Sequence, residues 1–400
     1  MLMFKTLIRR LNLMIVFLLL FFVQLSTQAA VWENKFQWTD LWEEAYSKWV
    51  VAHWKINIFT DQNSILYNIP TDCADASYNM RALFAYTYKL PFQAGPYNNL
   101  IRNFDNIENE TERFRAFIMT VNKNVGTKTL MTDTYPIGIN RNQFRPGIIF
   151  LSDKPVNHSV QVVELSATGI PTLYDSTEPA RVRDLFVRKS FAPYTIKSNN
   201  EGYRAFKWPE HYRLKEDQIP GFSRQQFEIM EKFKFIDLYF SEFESLLRER
   251  PETADEKAER LLRLVCNEMH YRVQFVEDAI ENNAKRPENS CYSNTQYDLY
   301  STPSRDGKLT SMLRYTLNLL KDGPTWEKLS AQNKAKYNSM FLGSATKSDN
   351  WCPIETKSKL DLKMNEIAKA ALGQRLVSDP NANERQRWGL EPYQAKCPQY

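Results

Sequence analysis

The chain has 400 residues, a formal net charge of +5 and an aromatic content of 13%, which suits two packed domains and excludes a disordered chain. Acidic and basic residues are interspersed, as in RLKEDQ and RERPETADEKAER, so the sequence lacks the one-sided basic stripe that binds nucleic acid. It has no glycine-rich phosphate loop and no zinc-type spacing of cysteine and histidine, so neither a cofactor nor a metal is expected.

Residues 1–29 read as a cleavable secretory signal, with Lys5, Arg9 and Arg10 leading, an apolar run from Leu13 to Val23, and the small residues Thr27 and Ala29 closing it. The run is shorter than the ~20 residues that span a bilayer, so no membrane span is expected after cleavage. Losing those three cations with residues 1–29 lowers the net charge from +5 to +2 in a mature chain that begins near Ala30. The expected location is periplasmic or extracellular. A glycan on the Asn157 sequon would crowd His158, which points to a bacterial source.

In the mature chain, Trp38, Leu41, Trp42, Ala45 and Trp49 share one face at helical period. A second helix starts near Asp72, because Pro70 and Thr71 break the preceding segment, and Ala76, Met80, Leu83, Phe84 and Thr87 then recur at intervals of three and four up to Pro91. A third runs through ETERFRAFIMTVNKNV. The pattern then changes to short strand-like runs, RPGIIFLSD, NHSVQVVELSATG and IPTLYDST. From about Phe222 the chain reads as helical, with a capping box at Thr253 and Glu256 and a further start at Thr302 and Pro303. The expected class is α+β, with an α+β domain over 30–200 and a mainly α-helical domain over 201–400.

Five cysteines remain in the mature chain, and an oxidising compartment leaves one of an odd set unpaired. Cys266, Cys291, Cys352 and Cys397 lie together downstream and can close two disulfides in any of three pairings. Cys73 stands alone and is the expected free thiol. It falls in the first turn of the second helix, where amide groups and the helix dipole favour a thiolate, although the flanking Asp72 and Asp75 oppose one. A histidine partner is therefore required.

His53 and His270 lie in helical stretches and read as structural, whereas His158 opens a strand on which Val160 and Val162 share its face. A hairpin with a two-residue loop at Ala167 and Thr168 pairs Asp175 with Val160, one diagonal step from His158. A three-residue loop turns Asp175 to the wrong face, so the whole constellation depends on register.

The segments DCADASYNMRALFAY, RPGIIFLSDKPVNHSVQVV and LYDST together resemble the papain-like superfamily over residues 60–180, including transglutaminase-like domains and cell-wall endopeptidases of the NlpC type. The resemblance implies a papain-like or transglutaminase-like fold for the first domain. It also implies a triad of Cys73 as nucleophile, His158 as base and Asp175 as the group that orients the imidazole. The oxyanion is then held by the Cys73 backbone amide with Asn68 or Gln62. The third residue departs from the usual NlpC-type placement and the tryptophan signature of animal transglutaminases is absent, so the subfamily stays open. The expected activity is a cysteine peptidase or amidase with a peptide or cell-wall substrate. The alternatives are a non-catalytic scaffold of the same fold and an acyl transferase that uses an amine acceptor.

Protein recovered from an export-competent bacterial host is expected to start near Ala30 when its intact mass is measured. Recovery of the full-length chain from the membrane fraction contradicts the signal reading.

Overall fold

The computed structural model describes residues 30–400 other than 154–156, 193–195, 234–235, 288–289 and 344–350, so residues 1–29, where a secretory signal is expected, lie outside the described residues. The chain opens with α1 (Asp40–His53), α2 (Cys73–Tyr88), the short strands β1 (Gln93–Ala94) and β2 (Tyr97–Asn98), α3 (Glu110–Asn124) and α4 (Thr127–Asp133). There follow β3 (Thr134–Pro136), β4 (Ile149–Ser152), β5 (His158–Leu165), β6 (Pro171–Asp175), β7 (Phe186–Lys189) and β8 (Gly202–Phe206). These six pair antiparallel in the order β3-β8-β4-β5-β6-β7.

Strand alternation divides the sheet's side chains between two layers. Ile149, Leu151, Val163 and Phe206 join the aromatic core of α1 to α3, which includes Trp38, Phe84 and Phe117. Phe150, Val160, Val162, Leu173 and Tyr203 face the other way, onto Phe227 of α5 (Gln225–Lys232) and Tyr239, Phe243 and Leu247 of α6 (Ile236–Leu247). Two glycines are required by close approach. Gly147 has φ +99°, and a Cβ there meets the Tyr46 ring at 2.5 Å; Gly169 has φ +78° and lies against the α6 backbone.

The expected division at residue 200 needs correction, because β8 is an inner strand of the sheet and α5 and α6 pack on it. β8 carries the side chains Tyr203 and Phe206, which serve opposite layers. A separate core begins only with α7 (Ala254–Asn283) and continues through α8 (Asn294–Tyr300), α9 (Pro303–Lys321), α10 (Gly323–Glu327), α11 (Ala331–Tyr337), α12 (Met364–Leu372) and α13 (Glu384–Arg387). The capping box at Thr253 and Glu256 forms as the sequence indicates, and α9 begins at Pro303.

Helix α7 serves both units. Leu262, Val265, Met269 and Val276 enter the helical core, while Tyr271 packs edge-on and Phe275 at a tilt against Phe186 of β7, at 4.3 and 5.8 Å between ring centroids. Among the described residues, no helix is long and apolar enough to cross a membrane.

Of the three pairings open to the downstream cysteines, the structure holds Cys266–Cys352 and Cys291–Cys397, with Cys73 free. The first lies in the helical core with Cys266 at 6% and Cys352 at 1% exposure, whereas Cys291 is exposed. Mild reduction of the native protein is therefore expected to open Cys291–Cys397 first, read by differential alkylation and peptide mass mapping. Replacing Cys352 by Ser, which opens an 86-residue separation, is expected to cost about 4 kcal/mol in a denaturant melt. Equal reduction rates for the two bonds contradict the first expectation.

Candidate active site

The helix-start thiol has a local cause. Asp72 caps α2: its Oδ1 accepts from the amides of Ala74 at 2.9 Å and Asp75 at 3.0 Å, and Asp75 Oδ2 accepts from the Asp72 amide at 3.0 Å. The cap does not engage the Cys73 amide itself, which leaves that N–H as a donor at the positive end of the helix. Of the two flanking carboxylates expected to oppose a thiolate, Asp75 is 3% exposed, and burial, followed by the nearby Asp72 charge, pushes it up to about 8. Its proton removes Asp75's own share of that opposition at neutral pH.

The hairpin register pairs Gln161 with Tyr174 and Val162 with Leu173, which sets Asp175 opposite Val160 as the sequence reading requires. It is reached differently. Past Val162 the pairing steps by one residue, to Glu164 with Thr172 and Leu165 with Pro171, and the turn is built on Ser166 to Ile170. A longer loop shifts the hairpin's outer end by one residue, and the irregularity at Val163 cancels the shift, so Asp175 stays on the His158 face. Nε2 of His158 lies 3.5 Å from Asp175 Oδ2.

The strand turns Ser159 toward α2. Ser159 Oγ donates to the Cys73 carbonyl at 2.7 Å and lies 3.1 Å from Ser77 Oγ, which also accepts from Gln161 Nε2 at 3.1 Å. The first turn of α2 thus touches the His158 end of β5, and the imidazole faces Asp175 on the opposite side of the strand. No hydrogen bond joins Cys73 Sγ to the His158 ring among the described residues. Gln62 and Asn68 are exposed in the turn-rich segment before α2, with Asn68 at φ 60°.

Sequence reasoning missed the groups beyond Asp175. Arg188 of β7 donates Nη1 to Asp175 Oδ2 and Nε to Glu268 Oε1 at 2.6 Å, and Lys308 Nζ of α9 reaches the same Glu268 oxygen at 3.1 Å. Burial pushes the Asp175 carboxyl up, but Arg188, His158 and Lys308 outweigh it and hold it below its ordinary value. Glu268 behaves in the same way: burial raises it, and Arg188 and Lys308 bring it below the usual range. Burial and then Arg188 push Lys308 down to about 8. An arginine two residues after Phe186 in a short strand offered one signal, since an inward charge in a packed sheet needs a partner.

Two other features lie apart. A cavity of about 830 Å³ sits at the opposite end of the β5–β6 hairpin, lined by Thr168, Lys189 and ion pairs such as Arg260–Glu252 at 2.7 Å, and none of the triad residues lines it. The sulfurs of Cys266 and Cys352 lie within 4.8 Å of a His270 ring nitrogen, but they are bonded to each other and present no thiolate to a metal.

Comparison with known proteins finds no matching family model, no matching curated protein and no matching solved structure.

Asp75 provides a test of the site's electrostatics. Its folded value of about 8 lies above the unfolded 3.8, so its stabilising contribution is complete below about pH 4 and is lost as pH rises toward 8. Asp75→Asn is expected to remove that loss, so the melting temperature of the variant relative to wild type should rise between about pH 5 and about pH 8. A difference that stays constant across this range contradicts the assignment.

Proposed function

We propose that this protein is an exported cysteine hydrolase of papain-like architecture that cleaves amide bonds in peptides, cell-wall peptides among them, through Cys73, His158 and Asp175. The observation that carries the reading is the His158–Asp175 pair at 3.5 Å, built on adjacent strands at the end of the sheet where the helix-start Cys73 meets β5 through Ser159. The mixed α+β architecture, with a helix start packed on an antiparallel sheet, supports the papain-like likeness.

Nε2 of His158 faces Asp175, so Nδ1 is the nitrogen that takes the Cys73 proton. The thiolate adds to the amide carbonyl, and the Cys73 amide stabilises the oxyanion. Collapse breaks the C–N bond, and the imidazolium protonates the departing amine, leaving a thioester. Water then gives its proton to His158 and adds to the thioester, releasing a carboxylic acid and restoring the thiol.

A non-catalytic scaffold is the second reading. It is favoured by the turn of His158 toward the Arg188 side of the sheet while Ser159 faces the helix.

The test is digestion of purified cell-wall material with release of fragments followed by mass spectrometry. Cys73→Ala is expected to abolish release with an unchanged circular dichroism spectrum. His158→Ala is expected to lower it roughly 10²–10⁴-fold, and Asp175→Asn to leave a reduced, measurable rate. Added amine diverts the thioester only if the enzyme is an acyl transferase. Activity unaffected by Cys73→Ala rules out the thiol mechanism, and an inactive wild type with Cys73 inert to iodoacetamide supports the scaffold.

A further inference from the structure

The sheet unit and the helical unit meet through a line of buried charge that ends on the proposed triad. Five side chains from five elements take part: His158 of β5, Asp175 of β6, Arg188 of β7, Glu268 of α7 and Lys308 of α9. Asp175 and Glu268 are 2% and 4% exposed, so each carboxylate must be satisfied inside the protein. Arg188 satisfies both, one through Nη1 and the other through Nε, and its guanidinium lies 5.0 Å from the Tyr271 ring centroid. The arginine is fixed from the α7 side, where Tyr271 Oη and Asn267 Nδ2 both donate to the Val187 carbonyl.

The charges balance without the imidazole: Arg188 and Lys308 offset Asp175 and Glu268. Both Arg188 and His158 approach the same oxygen, Asp175 Oδ2. Any cation in excess at this point therefore weakens the carboxylate's hold on an imidazolium, and any anion in excess strengthens it. Glu268 draws Arg188 away from sole attachment to Asp175, and Lys308 draws Glu268 back.

We propose that Glu268 and Lys308 are positioning residues of the Cys73–His158–Asp175 site, acting through Arg188 on the Asp175 carboxylate, so that the helical half completes the active centre. The inference rests on the hydrolase reading above. The other charged groups at this end are Arg305 of α9, which donates to Thr177, and the Arg181–Asp278–Arg183 cluster along α7. On the α2 side they are Asp72, Asp75 and Glu178, which act on one another. Among the described residues, Glu268 pairs with Arg188 and with Lys308.

The test compares Glu268→Gln, Lys308→Met and the double variant in the full mature chain. Glu268→Gln keeps the shape and removes an anion, leaving excess positive charge on Asp175; the alkaline limb of kcat/KM, set by imidazolium loss, is expected to move down by roughly half a pH unit. Lys308→Met removes a cation and is expected to move the limb up, and the double variant to return it toward wild type. NMR titration of the His158 ring follows the same sign pattern and needs no substrate. A purely structural role lowers melting temperature and active fraction in all three variants without opposite shifts. Limbs and ring titrations that stay in place in both single variants overturn the proposal while leaving the hydrolase reading intact. A wild type with no turnover and an inert Cys73 overturns the hydrolase reading and this one with it.

Discussion

The structure depends on the register of one hairpin. Because side chains alternate along a strand, a slip of one residue between β5 and β6 moves Asp175 from the His158 face to the α2 face. The turn at Ser166–Ile170 is longer by one residue than a two-residue loop allows, and the irregular pairing at Val163 takes up the difference. Leu173 thereby stays in the α5–α6 core and Tyr174 stays against the α1–α3 core. Gly169 permits this turn to lie on the α6 backbone, where a Cβ meets Glu244 O at 2.8 Å. The hairpin tip, the core layers and the Asp–His contact are one linked constraint.

The same register decides where buried charge accumulates. Asp175 on the α7 side calls for a cation, and β7 supplies Arg188 at the diagonal position, since Leu173 pairs with Arg188 and Asp175 with Phe186. Breaking a buried pair by removing one partner typically costs about 3–5 kcal/mol, because the remaining charge is left uncompensated. The Arg188–Glu268 pair joins β7 to α7 beside the apolar contacts of Phe186 with Tyr271 and Phe275. The buried Arg81 guanidinium plays a comparable part on the other layer, held by Glu43 of α1 and lying 3.3 Å from the Trp38 ring centroid.

Helix α2 joins these two layers of constraint. Its residues from Cys73 to Ala85 are all buried, so it runs through the first core as a central element instead of lying across it as an amphipathic surface helix. A buried helix needs its terminal groups satisfied locally, and the Asp72–Asp75 capping box does this at the end that carries the thiol. Protonation of Asp75 follows from the same burial, so the cap's charge and the environment of Cys73 are set together.

The sequence by itself determined what local chemistry encodes. The breaks at Pro70 and Thr71, the helix start near Asp72, the alternation in HSVQVVEL and the isolation of Cys73 from the other cysteines are all features of short segments, and they locate α2, β5 and the free thiol. The pairing of Asp175 with Val160 was legible as one of two registers, because hydrophobic alternation limits the choices without fixing loop length. Tertiary structure alone decided that a bulge restores the register, that β8 belongs inside the sheet, and which cysteines pair. It also brought Glu268 onto Arg188, across 80 residues of chain, and Lys308 onto Glu268. Such contacts leave no periodic trace in the sequence, because a buried charge specifies only that a partner must exist and the packing of distant elements selects which one.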